Sequence, residues 1–252
     1  MVRSLLLLYV AFLCYFESRL NTRTPTLNTR TQVLGSTPSG CDTISKLHGA
    51  SIGASISASQ RRSVIESTTN REMMWKDRVS REFREYTTGT RDRVSDRSIR
   101  EWKRGVPSCL RSEMWPLIIG NAAKVTKHMF EHHGRIAEQC LSRARTSGKD
   151  ETFHLNADSI KLISVDIPRT FSRISTIGIL FDTRTGPLHR DLQQILLAFA
   201  LFRQDIGYVQ GMTFLAAFLL IHLSCDTFSA FRCFSNLMLK QHLYTFYSVR
   251  SA

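Results

Sequence analysis

Met212 to Leu223 is apolar almost all round, with Phe214, Leu215, Ala216, Ala217, Phe218, Leu219, Leu220 and Ile221 in an unbroken run. A helix without a polar stripe has no face to give to water, so it must be enclosed by lipid or by other elements. The run is too short for a bilayer, which takes about 20 apolar residues. It therefore demands a surrounding shell from the same chain. That shell reads as helical. Pro187 opens a stretch in which Leu188, Leu192, Ile195, Leu196, Phe199 and Phe202 recur at the spacing of one helix face. Val125, Met129, Ile136 and Leu141 mark another helix ending near Arg145, and Cys225 to Tyr247 supplies one more. No stretch alternates polar with apolar as a half-buried strand does, and no internal repeat is present. The sequence predicts an all-α fold.

Hydrophobic residues make up 42% of the 252, enough for a packed core, but they are unevenly spread. From Leu20 to Asn70 the chain is mostly Ser, Thr, Asn, Gly and Arg, without Phe, Tyr or Trp. Such text buries too little apolar surface to offset ordering entropy, and residues 18–71 read as a disordered linker. Residues 72–99 read as an amphipathic helical extension: Met74, Trp75, Val79, Phe83 and Tyr86 share one face before Gly89 breaks it. Packing against the following domain is the plain reading, and lying on a membrane surface is the other. The domain itself runs over 100–252.

Residues 1–17 form a twelve-residue apolar core behind Arg3, of signal-peptide length and short of a membrane span. Glu17-Ser-Arg19 is a poor cleavage site. Arg19, Arg23 and Arg30 outnumber Arg3, which keeps the C-terminal side cytosolic on the positive-inside rule. The segment reads first as a start-site artefact, then as an anchor, and last as a true signal.

The net charge is +13, with Lys+Arg 34 against Asp+Glu 21. A basic chain favours anionic partners. The arginines are dispersed, mixed with carboxylates and not interleaved with stacking aromatics, which argues against nucleic acid and leaves weak peripheral attraction to acidic lipid or a solvated charged face. Six irregularly spaced cysteines without a CxxC pair indicate neither a zinc site nor a disulfide framework, and fit free thiols in a reducing compartment. His128 and His132 lie one helical turn apart beside His133, with no third ligand at a telling distance; no metal site is expected.

Three motifs remain. Trp102-Lys-Arg-Gly105-Val-Pro107-Ser-Cys-Leu110-Arg111-Ser-Glu-Met-Trp115 comes first, then Ile163-Ser-Val-Asp166-Ile-Pro168-Arg169-Thr170-Phe171, then Tyr208-Val-Gln210-Gly211-Met212. Their order, spacing and wording resemble the TBC domain, the catalytic module of Rab GTPase-activating proteins. Taken singly each is weak; an Arg-Thr-Phe triplet is usually a surface or salt-bridged feature. Three in order across some 110 residues carry the resemblance.

The resemblance implies that Arg169 is an arginine finger, neutralising charge on the transferred phosphoryl group, and that Gln210 is a glutamine finger orienting the attacking water. Asp166, three residues before Arg169, is placed to orient the guanidinium if the segment is helical. Tyr208 and Gly211 support the glutamine motif, with Gly211 expected to allow a close backbone approach. Trp102, Gly105, Pro107, Arg111 and Trp115 are expected as framework, Trp115 buried. Pro168 should put Arg169 at or just past a helix end. Ser172 departs from the proline that many members carry there.

The partner implied is a Rab-family small GTPase in the cytoplasm, the chain itself carrying no cofactor because GTP and Mg²⁺ belong to that partner. The wording Ile118-Ile-Gly120-Asn121 and Pro187-Leu188-His189 is similar to the subgroup associated with recycling endosomes and autophagy. TBC domains have two helical halves, and the match covers the first, from near Arg100 to Ala252. Two further readings stay open: a non-catalytic TBC module that binds a Rab in trafficking, and a basic helical protein tied to membrane or export by its N-terminal run. Oligomeric state is not legible.

Overall fold

The computed structural model describes residues 58–147 and 157–248. The apolar start at 1–17, residues 18–57 of the linker and most of the loop after Arg145 lie outside the described residues. Everything regular among the described residues is helical, so the fold is all-α.

The first helix, α1 (Ala58–Met74), passes through a π-helical turn at Trp75–Val79 into α2 (Ser80–Thr87). The disorder expected over 18–71 is thus corrected for 58–71, which is helical. Its polar composition leaves most side chains from Ser63 to Asn70 exposed, but its last turn is tied down. Arg71 donates through Nη2 to the Gly105 carbonyl and pairs with Glu101 at 3.3 Å. The π turn, the single-turn form in which the rare π-helix mostly occurs, carries Trp75 and Val79, both buried. Trp102 on α3 (Asp96–Lys103) packs between Trp75 and Phe83, with ring centroids at 6.3 and 5.3 Å. Ser95 caps α3 by accepting from the Ser98 amide, and its own amide donates to Glu82 at 3.0 Å.

Gly105, at φ +93, turns the chain into Pro107, which precedes a 3-10 turn at Ser108–Leu110 and α4 (Arg111–Ile119). Next come α5 (Lys127–Ser147), α6 (Ala157–Asp166), a 3-10 turn at Ile167–Arg169, the single turn α7 (Ser175–Gly178) and a 3-10 turn at Ile179–Phe181. The remaining helices are α8 (His189–Phe202), α9 (Met212–His222), α10 (Thr227–Met238) and α11 (Gln241–Ser248). The single helix expected from Cys225 to Tyr247 is two, broken at Leu239-Lys240.

Helix α8 is the hub, packed by α5, α6, α9 and α10. Every residue from Ile195 to Leu201 is buried. The apolar run that demanded enclosure has it: Leu215 to Leu220 of α9 are buried, with α8 and α10 against them. At about 1.5–3 kcal/mol for each large side chain removed from water, these two helices dominate the core. A polar clasp joins α10 to the turn before α5. The buried Asn236 accepts from the Ala123 amide at 2.9 Å and donates to Asn121 Oδ1 at 3.0 Å. Asn121 in turn closes its own turn on Val125. Among the described residues no helix is long and apolar enough to cross a membrane.

Candidate functional site

Arg169 ends a continuous helical stretch. Helix α6 stops at Asp166, the 3-10 turn Ile167–Arg169 carries it on, and Thr170 is extended. Pro168 sits inside that 3-10 turn near its start, where the missing N–H costs nothing. The turn is pinned from below by the buried Thr170, whose hydroxyl donates to the Asp166 carbonyl at 2.9 Å and whose amide donates to Ile167. Arg169 is exposed, and its guanidinium takes part in none of the ion pairs among the described residues.

Asp166 behaves differently from the expectation. It is buried, and its carboxylate is taken by Tyr208, whose hydroxyl donates to Oδ2 at 2.7 Å. The acid is turned into the core, where Tyr208 takes it, while Arg169 at the end of the 3-10 turn is exposed. Asp166 therefore holds the glutamine segment instead of the guanidinium. Burial, then the bond to Asp166 and its charge, push the Tyr208 hydroxyl above its ordinary pKa. It stays a neutral donor.

Gln210 lies two residues before α9 and is exposed. Gly211 caps that helix at φ +95. A Cβ on Gly211 would meet nothing within 4 Å, so the expected close approach is absent. What requires glycine is the left-handed backbone itself. Upstream, the turn that delivers Tyr208 is held by Arg203 and Asp205. Their bidentate bonds are 2.7 Å from Nε and 2.5 Å from Nη2. Those bonds raise the arginine's pKa and lower the carboxyl's. The Arg203 carbonyl accepts from Ile206 and Gly207. The sequence does not single out this pair, because Arg-x-Asp is too common to carry a signal.

A second contact joins the two segments. Phe171, partly buried, meets the edge of Phe214 on α9 with ring centroids at 5.4 Å. Arg169 thus lies between residues 166 and 171, Gln210 lies between 208 and 214, and the two stretches are strapped together on either side of both. Around them the surface is apolar for an exposed face: Leu162 is 43% accessible, Val165 40% and Phe214 46%.

The framework residues lie elsewhere. Arg111 donates through Nε to the Val106 carbonyl at 3.1 Å, contacts His222 Nδ1 at 3.1 Å and lies over the Trp115 ring. Trp115 is buried, stacked on Phe218 at 5.5 Å. They brace the far end of α9, away from Gln210. Among the described residues no group of three His, Cys, Asp or Glu is placed to hold a metal.

Comparisons with known proteins show the family. The Rab-GTPase-TBC domain family model matches residues 108–251. Human TBC1 domain family member 14 is 35% identical over 168 residues, covering 61% of this chain and 22% of that protein. Mouse TBC1 domain family member 12 is 36% identical over 161 residues, covering 62% and 22%. Drainin from Dictyostelium discoideum is 31% identical over 164 residues, covering 50% and 36%. The chain belongs to the Rab-GTPase-TBC domain family. It spans about a fifth of the length of the first two relatives.

Proposed function

We propose that the chain activates GTP hydrolysis on a Rab-family small GTPase, lending Arg169 and Gln210 in trans. The observation that carries this reading is the double strap, Asp166–Tyr208 and Phe171–Phe214, which holds an exposed arginine and an exposed glutamine on adjoining segments. Phosphoryl transfer to water needs charge neutralisation and an oriented nucleophile more than covalent help. Arginine meets the first need with a permanently charged, planar fork that fits phosphate oxygens. A glutamine side chain, donor and acceptor at once, meets the second. The exposed apolar residues beside the two suit a protein partner, whose docking would cover them and exclude water from the reaction.

In this reading GTP and Mg²⁺ are held by the GTPase, and the chain contributes two side chains and a surface. The test is single-turnover hydrolysis by a panel of GTP-loaded Rab proteins with the full chain added. Acceleration on any member supports the activator. Binding without acceleration assigns the chain to the alternative, a Rab-binding module in trafficking that does no chemistry.

A further inference from the structure

Behind Arg169 the backbone is unusual. Phe171 has φ +55, a left-handed conformation that a bulky side chain seldom adopts. Such a residue persists only where its surroundings over-determine it. Here its ring is fixed between Phe181 at 6.5 Å and Phe214 at 5.4 Å. Its carbonyl accepts from the Ile174 amide at 2.8 Å, and the Ser172 amide donates to the Arg169 carbonyl at 3.2 Å.

Gly178 closes the arrangement. A Cβ there would stand 2.9 Å from the Phe171 oxygen and 3.0 Å from the Ser172 Cα. Both are backbone atoms, which cannot swing aside. Gly178 itself has φ −58, an ordinary helical value that alanine would prefer. Glycine is therefore needed here for space alone, and the space is filled by the two residues that follow Thr170.

We propose that Gly178 and Phe171 form a seat for the Arg169 turn and are positioning residues for the arginine; this rests on the activator reading above. Gly178→Ala would leave its own backbone content and displace Phe171-Ser172, moving the turn that presents the guanidinium. A displacement near 1 Å is enough to cost on the order of 10²-fold in rate.

The test uses the full chain as wild type, Gly178→Ala and Phe171→Leu, each with and without Arg169→Ala. Single-turnover hydrolysis by a GTP-loaded Rab protein is measured against activator concentration, and amide exchange is read on the free proteins. The expected result is a rate at saturation lowered about 10²-fold in Gly178→Ala, with the half-saturating concentration within about threefold of wild type. The loss should vanish once Arg169 is alanine, because residues acting through one group are not additive. Exchange should quicken over residues 170–174 and stay unchanged in α8. If Gly178→Ala does not fold, Phe171→Leu carries the same cycle. A loss that persists in the Arg169→Ala background, or one seen only in the half-saturating concentration, overturns the proposal. If the wild type activates no Rab protein, the activator reading fails by itself. Exchange then decides the seat: quickened exchange at 170–174 upholds it and unchanged exchange overturns it.

Discussion

The Tyr208 hydroxyl donates to the buried Asp166 carboxylate at 2.7 Å across 42 positions of sequence. This bond ties the end of α6 to the approach to α9, and so ties the arginine-bearing turn to the glutamine-bearing one. Tyr208→Phe removes the donor and leaves a buried carboxylate without it, a loss of about 1–3 kcal/mol. Urea denaturation should show that loss. Asp166→Asn keeps an acceptor in place and should cost less.

Gly211 tests whether conformation or space matters beside Gln210. Because nothing lies within 4 Å of its missing Cβ, Gly211→Ala should be paid for by backbone strain alone, about 1–2 kcal/mol at φ +95. Gly211→Asn should be milder than Gly211→Val, since asparagine tolerates the left-handed region and a β-branched residue does not. Thermal melts of the three variants check the order.

Much of this was readable in advance, for reasons tied to particular residues. Helices α8 and α9 announced themselves because their apolar residues follow one helical period or fill a whole surface. Arg169 and Gln210 stood in motifs whose wording is specific as a set. Local spacing points Asp166 at Arg169, but its partner is Tyr208, 42 positions away, which local spacing does not show. Phe214 reads as enclosed core in the apolar run yet is 46% accessible, and Gly178 and Asn236 give no sign. A glycine needed for space at an ordinary φ looks like any other, and one asparagine on an apolar helix shows no partner 115 positions away. The helix at 58–71 is not legible because its composition is that of a linker.

Trp75 lies outside the matched residues 108–251, yet it is fully buried against Trp102. If the segment belongs to one cooperative unit, Trp75→Ala should cost about 3–5 kcal/mol and lower a single unfolding transition. Calorimetry with one unshifted main transition and a small early one would instead show a separate appendage.

Glu82 sets a pH dependence. Burial pushes its carboxyl up, but the Ser95 hydroxyl and the hydrogen bond from the Ser95 amide, with the nearby Ser98 hydroxyl and the Arg91 charge, bring it below its ordinary value. A carboxyl depressed in the folded state contributes stability above its unfolded pKa, and that contribution is lost as pH falls through the folded one. The wild type should therefore be more stable than Glu82→Gln at neutral pH. The gap should shrink as pH drops below about 4.3, as measured by denaturant midpoints across pH.

The most direct test is single-turnover GTP hydrolysis on a Rab protein that the full chain activates, repeated with Arg169→Ala and with Gln210→Ala. Arg169→Ala should remove about 10³–10⁵-fold of acceleration while binding of the GTP-loaded Rab protein persists, and Gln210→Ala should also lower the rate within the complex. Hydrolysis unchanged by Arg169→Ala would contradict the activator reading.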